Sequence, residues 1–86
     1  YSAKLMAGGA ALCARKLGEE AIETVIASLG DDRQAVISES ADLLYHWLVT
    51  LAAVDVSPAE VYAELARREG RSGIDEKASR TSGSGT

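Results

Sequence analysis

Between Asp32 and Val54 the chain places Val36, Ile37, Leu43, Leu44, Tyr45, Trp47, Leu48, Val49 and Leu51 at spacings that cover most of a helix's circumference. A helix that is apolar nearly all round has to be buried nearly all round. The whole chain has 86 residues, and a domain of that size removes only about 60% of its unfolded surface from water. Too little other protein is present to cover such a helix from every side. The simplest solution is a homodimer in which two copies complete one helical bundle.

The rest of the sequence agrees with an all-α chain. Hydrophobic residues make up 47% of it, with no Phe, three Tyr and one Trp, a composition suited to close-packed helices rather than a β-sandwich. Ser2 is placed to start a short helical turn over AKLMA, which Gly8 and Gly9 interrupt. From Ala10 to Leu29 the period is helical, with Leu17, Ala21, Ile22, Val25, Ile26 and Leu29 on one face and Gly30 as the stop. Asp31 and Gln34 read as a capping box that opens the second helix, roughly Asp32 to Val54. Ser57, Pro58 and Glu60 form a stronger start signal, with Ser57 as N-cap, Pro58 first in the helix and Glu60 as the reciprocal partner. That third helix is expected to end near Glu69, at Gly70. The chain therefore reads as a helical domain over residues 1–70, followed by a polar tail over 71–86 whose last residues, TSGSGT, have the composition of a flexible segment. The short loop at Gly30 makes the first two long helices an antiparallel hairpin.

Charge and cysteine usage narrow the function classes. The net charge of −4 argues against broad nucleic-acid binding. No apolar run approaches the ~20 residues that span a membrane, and no signal peptide is visible. The single Cys13 rules out an intrachain disulfide framework and fits a reducing, cytoplasmic setting, where it reads as a small buried hydrophobe. The chain begins at Tyr1 rather than Met, so some N-terminal sequence is expected to precede it.

The apolar second helix also carries acids. At 100° per residue from Val36, Asp42 falls at about 240°, His46 at about 280° and Glu39 at about 300°, one narrow stripe between apolar flanks. On the first helix Glu19, Glu20 and Glu23 share an arc of about 100°. The hairpin brings the two groups to similar heights. A run of Glu on a helix is ordinarily a solvated face. Carboxylates within an apolar helix are costly unless paired or bound to a cation, and between Asp32 and Ala66 the only basic residue of the Lys/Arg kind is Arg33. Hard oxygen ligands of this sort suit Mg²⁺, Mn²⁺ or Ca²⁺ rather than Zn²⁺, and Mg²⁺ is commonly shared between carboxylates and substrate phosphates. A di-iron site needs Glu-x-x-His on two helices; His46 follows Asp42 by four residues and Glu39 by seven, which is the wrong spacing. His46 reads instead as a hydrogen-bonded residue on a packed face. Tyr45 and Trp47 read as core or interface residues.

KLGEEAIE (16–23) followed by ESADLLYH (39–46) resembles the phosphoribosyl-ATP pyrophosphatase family of histidine biosynthesis and, more broadly, the E-x-x-E…E-x-x-D pattern of the MazG-like all-α NTP pyrophosphatases. The resemblance extends from YSAKLMAGG through LAAVDVSPAEVYAELARRE into GRSGIDEKASR. It implies Mg²⁺-dependent hydrolysis of phosphoribosyl-ATP to phosphoribosyl-AMP and pyrophosphate, with Mn²⁺ as a substitute, by a homodimer. Carried over by position, Glu20 and Glu23 are the first acidic pair, Glu39 and Asp42 the second, and Glu19 the additional acid. Lys16, one turn before Glu20, is a candidate phosphate contact; Lys4, Arg15, Arg71, Lys77 and Arg80 are weaker ones. Two other readings stay open at this level: a house-cleaning nucleoside triphosphate pyrophosphatase of the same superfamily, and a non-catalytic helical dimerisation module.

Overall fold

A computed structural model describes residues 2–82 and the side chains of residues 3–70. Four helices follow one another: α1 (Ser2–Ala7), α2 (Gly9–Leu29), α3 (Arg33–Ala53) and α4 (Pro58–Ser82), with no strand among the described residues. They fall into two compact units, Tyr1–Val56 and Ser57–Thr86.

In the first unit α2 and α3 form the hairpin. Two hydroxyls fix its direction and register. Thr24 Oγ1 donates to the carbonyl of Glu39, 15 residues on, at 3.1 Å, and Thr50 Oγ1 donates to the carbonyl of Cys13, 37 residues back, at 3.2 Å. Both pairs are centred between Asp31 and Asp32, so the helices run antiparallel. Gly8 and Gly9 turn α1 back against this hairpin. Gly9 has a φ of 78°, in the left-handed region that glycine occupies without strain. A side chain at Gly8 would collide with Leu12. The turn seats Leu5 beside Cys13; they are 2% and 1% exposed. The Cys13 thiol donates to the Leu5 carbonyl at 3.4 Å. Cys13 is therefore buried as its sequence context implies, with its weak donor also used. His46 is buried too, its ring edge-on to that of Tyr45 at 5.2 Å.

The helix ends modify the sequence reading in three places. The N-cap of α3 is Asp32, not Asp31: Asp32 Oδ1 accepts from the backbone N–H of Gln34 at 3.0 Å and of Ala35 at 3.2 Å. One carboxylate oxygen reaches two free donors of the first turn from that position, and Gln34 contributes its backbone N–H. Gly30 ends α2 in an extended conformation, φ −90° and ψ −170°, so its stop does not depend on glycine's left-handed freedom. The third correction is at Gly70, where α4 continues to Ser82 and the segment that follows Glu69 starts as helix. An interior glycine costs about 1 kcal/mol relative to alanine, which Arg, Glu, Lys and Ala neighbours can offset in the absence of proline. Residues 83–86, the end of the expected flexible tail, lie outside the described residues, as do the side chains of Arg71, Lys77 and Arg80.

The start of α4 follows its sequence closely. The Ser57 N–H donates to Glu60 Oε2 at 2.8 Å and the Glu60 N–H to Ser57 Oγ at 3.4 Å, a reciprocal capping box. One turn later Glu64 pairs with Arg67 and Arg68, and the hydrogen bonds from these two guanidiniums pull its carboxyl down to about 2.

Part of the apolar sequence packs along the hairpin. Cys13, Leu17, Glu20, Ala21 and Thr24 on α2 and Val36, Glu39, Leu43, His46, Trp47 and Thr50 on α3 are buried or half-buried and share the inner side of each helix, along the seam. Ile22, Val25, Ile26 and Leu29 point away from it, between 60 and 85% exposed, roughly half a turn round α2 from the seam. On α3, Ile37, Leu44 and Leu48 are likewise exposed. With the exposed Ala41 they form a stripe of spacing four, three and four, the pattern of a helix-packing face.

The C-terminus of α3 supplies a test of local backbone strain. The Val56 N–H reaches the Leu51 carbonyl at 3.0 Å and the Asp55 N–H the Ala52 carbonyl at 3.2 Å, the paired bonds of a Schellman end. The residue in the left-handed position is Asp55, φ 60°, where glycine is the usual choice. Asp55→Gly is expected to raise the melting temperature, by up to about 1 kcal/mol of stability, and Asp55→Val to lower it. Thermal melting of the two variants beside the parent measures the difference; equal melting of all three excludes strain at this end.

Candidate carboxylate site

The acids meet at the seam because the register puts α2 around residues 20–24 beside α3 around residue 39. Glu20, Glu23 and Glu39 each present a carboxylate oxygen, and the three oxygens lie within 4.8 Å of one another. Glu20 and Glu39 are half-buried and Glu23 is exposed, so the group lies at the wall of the hairpin with one side open to solvent. Oε2 of both Glu20 and Glu39 is buried without a hydrogen-bond partner.

At this separation the neighbouring carboxylates hinder the ionisation of Glu20 and Glu39. Burial first, then the hydrogen bond and charge of Glu23, then the charges of Asp42 and Glu39, push the Glu20 carboxyl up from 4.5 to about 7. The hydrogen bond with Glu23 is the main cause of the upward shift of Glu39, followed by burial and by the charges of Glu23 and Asp42; a hydrogen bond with Glu20 pulls the other way. The upward shifts of Glu20 and Glu39 relieve part of this repulsion by favouring their protonated forms. A divalent cation is the other way to relieve it. In an octahedral Mg²⁺ site with bonds of about 2.1 Å, ligand oxygens stand about 3.0 Å apart when adjacent and about 4.2 Å when opposite. The observed spread is compatible with that geometry, and the two buried oxygens without partners are the atoms that need it. The donor set therefore fits a hard cation.

The five acids and one lysine of the sequence pattern do not all occupy one place. Glu20, Glu23 and Glu39 form the group. Asp42 is exposed and outside the three-oxygen set, yet near enough for its charge to raise both Glu20 and Glu39. Glu19 is exposed and faces Lys16 Nζ at 3.5 Å. One residue apart on a helix means about 100° of rotation, which takes Glu19 off the seam that holds Glu20. Lys16 thus lies one turn from Glu20 with its charge engaged by Glu19. Thr24 carries no acid and so stands outside the sequence pattern. It stands four residues after Glu20 on the same face and donates both to the Glu20 carbonyl at 2.8 Å and across to the Glu39 carbonyl at 3.1 Å. The same angular placement that grouped the acids brings Thr24 into their arc.

Comparison with known proteins follows the same residues. A model of the family described as Phosphoribosyl-ATP pyrophosphohydrolase matches residues 1–69, which include every acid of the site. A phosphoribosyl-ATP pyrophosphatase of Parvibaculum lavamentivorans is 66% identical over 80 residues, which is 93% of this chain and 73% of that protein. The protein of the same name from Novosphingobium aromaticivorans is 60% identical over 81 residues, 94% of this chain and 76% of the relative. The one from Ruegeria pomeroyi is 55% identical over 83 residues, covering 96% and 79%. No solved structure matches the chain. With the acidic group on the hairpin seam and these matches along nearly its whole length, the chain belongs to the phosphoribosyl-ATP pyrophosphohydrolase family.

Proposed function

We propose that the chain hydrolyses phosphoribosyl-ATP to phosphoribosyl-AMP and pyrophosphate, a step of histidine biosynthesis in the cytoplasm, using Mg²⁺ or in its place Mn²⁺. The observation that carries this reading is the half-buried carboxylate group Glu20, Glu23 and Glu39 at the seam of a chain from this family. Among the described residues, no helix is long and apolar enough to cross a membrane.

Glu20, Glu23 and Glu39 would hold the cation, with the charge of Asp42 close by, while Glu19 stands apart in its pair with Lys16. When bound, the cation supplies the positive charge that lets an anionic triphosphate approach an acidic wall and that stabilises charge developing on its oxygens. Glu20 and Glu39 orient the site from the buried side, and exposed Glu23 faces the solvent from which substrate and water arrive. A carboxylate of the group takes the proton of the attacking water, so no covalent nucleophile is needed. Lys16 exchanges its bond with Glu19 for one to a substrate phosphate.

The apolar residues left outside the seam support assembly as a homodimer. Burying the exposed parts of Ile22, Val25, Ile26, Leu29, Ile37, Leu44 and Leu48 recovers on the order of 5–10 kcal/mol per protomer. Two protomers together offset an association cost of about 4–15 kcal/mol. Sedimentation at micromolar concentration is expected to give a dimer, and Leu44→Glu to dissociate or unfold it, because an unpaired buried charge costs several kcal/mol. A parent that sediments as a folded monomer contradicts the assembly.

Activity is tested by pyrophosphate release from phosphoribosyl-ATP and from a panel of nucleoside triphosphates, with and without Mg²⁺. Release from phosphoribosyl-ATP alone, and only with the cation, is the expected result; equal turnover of other triphosphates favours the house-cleaning reading, and no turnover the dimerisation module. Glu23→Gln and Glu39→Gln are each expected to lower turnover at least ~100-fold, the scale of losing a principal electrostatic group, with helical circular dichroism retained. Near-normal turnover in both removes these acids from the reaction.

The raised carboxyls also set a pH dependence. An acid whose folded-state pKa lies above its unfolded value keeps its proton better when folded, so stability declines as pH rises from 4.5 to about 7. Glu64, pulled down to about 2, acts in the opposite sense and only below 4.5, outside that window. In chelator the parent is therefore expected to melt lower at pH 7.5 than at pH 5, with Glu20→Gln showing a smaller decline and Mg²⁺ restoring the parent at the higher pH. Parallel pH profiles for the parent and Glu20→Gln refute repulsion at the group.

A further inference from the structure

We propose that Thr24 is a positioning residue for the carboxylate site: its hydroxyl ties the backbone of Glu20 to the backbone of Glu39 and sets the spacing at which the acids face each other. The inference rests on the reading of Glu20, Glu23 and Glu39 as a cation site.

The geometry is specific to this position. Thr24 is half-buried in the seam, one residue after Glu23 and one turn after Glu20. Its hydroxyl has a single proton, shared between the Glu20 carbonyl at 2.8 Å on its own helix and the Glu39 carbonyl at 3.1 Å on the other. The residue thus touches the main chain of one acid on each helix while its own peptide unit follows directly on the third. Repulsion among the three carboxylates pushes the helices apart at this height. A hydrogen bond across the seam at the same height opposes it. Replacing the hydroxyl by a methyl puts carbon against the Glu39 carbonyl, where contacts settle at about 3.3–3.6 Å. The seam opens by a few tenths of an ångström, comparable with or beyond the tolerance of about 0.2 Å on metal–ligand distances.

Thr50 provides an internal comparison. It repeats the construction, donating to the His46 carbonyl at 2.7 Å on its own helix and to the Cys13 carbonyl at 3.2 Å across the seam. None of the residues it ties belongs to the carboxylate group. Both threonines are half-buried, and loss of either hydroxyl removes the same kind of bond. They differ in what lies beside them.

The test uses the full metal-free chain. Mn²⁺ is titrated into the parent, Thr24→Val, Thr24→Ser, Thr24→Ala and Thr50→Val, with free Mn²⁺ followed by electron paramagnetic resonance and melting temperatures recorded in chelator. Both valine variants are expected to melt somewhat lower than the parent. Only Thr24→Val is expected to lose Mn²⁺ affinity, by about 10–100-fold, the usual scale for removing an outer-layer support of a metal site. Thr24→Ser retains the hydroxyl and is expected to bind Mn²⁺ like the parent. The Ser and Ala variants differ only in that hydroxyl, so they decide the question even if Thr24→Val does not fold. Equal affinity for Ser and Ala, or an equal loss in Thr50→Val and Thr24→Val, overturns the positioning role. A parent that binds no Mn²⁺ overturns the cation reading as well, which separates the two failures.

Discussion

Repulsion among carboxylates at a half-buried helix seam is the constraint around which this chain is arranged. Folding brings Glu20, Glu23 and Glu39 together although their charges repel one another. Burial, then the hydrogen bond and charge of Glu23, raise Glu20 to about 7. The acids are held there by the packing of the rest of the unit, the usual relation between a functional site and the scaffold that carries it. The means of holding are local: hydroxyls that cross the seam at Thr24 and Thr50, and a short α1 whose Leu5 closes over Cys13.

The inner face of each helix is shared between acids, hydroxyls and apolar residues: Leu17 and Ala21 on α2 and Val36, Leu43 and Trp47 on α3 are half-buried, as are Glu20, Thr24, Glu39 and Thr50. Other aliphatics, Ile22, Val25, Ile26 and Leu29 on α2 and Ile37, Leu44 and Leu48 on α3, are left exposed. These exposed aliphatics are the residues that the proposed homodimer would cover.

Local chemistry was legible wherever a few neighbouring residues satisfy one another. Ser57 and Glu60 form their capping box as read, because both halves lie within one turn. Helix boundaries that depend on a competition of small terms were less so. Asp31 and Asp32 are chemically equal as caps, and which one leads depends on where α2 ends and how the short loop passes over; Asp32 takes both donors. Gly70 resembles a stop, but a glycine penalty near 1 kcal/mol does not end a helix whose neighbours continue it.

The sequence by itself determined the all-α class, the two long helices and their hairpin, the acidic pattern and the family, since each rests on periodicity, on spacing along the chain or on an ordered set of residues. It also placed Glu19, Glu20, Glu23, Glu39 and Asp42 within reach of one another, because helical period and loop length constrain height and angle together. Only the tertiary structure decided which acids share a centre. Glu19 turns away to Lys16 and Asp42 stays at the rim, outcomes that depend on the rotation of each helix about its own axis. That rotation is set by contacts between residues 15 and 37 positions apart, and a pattern read along one helix carries no information about the angle at which another helix meets it.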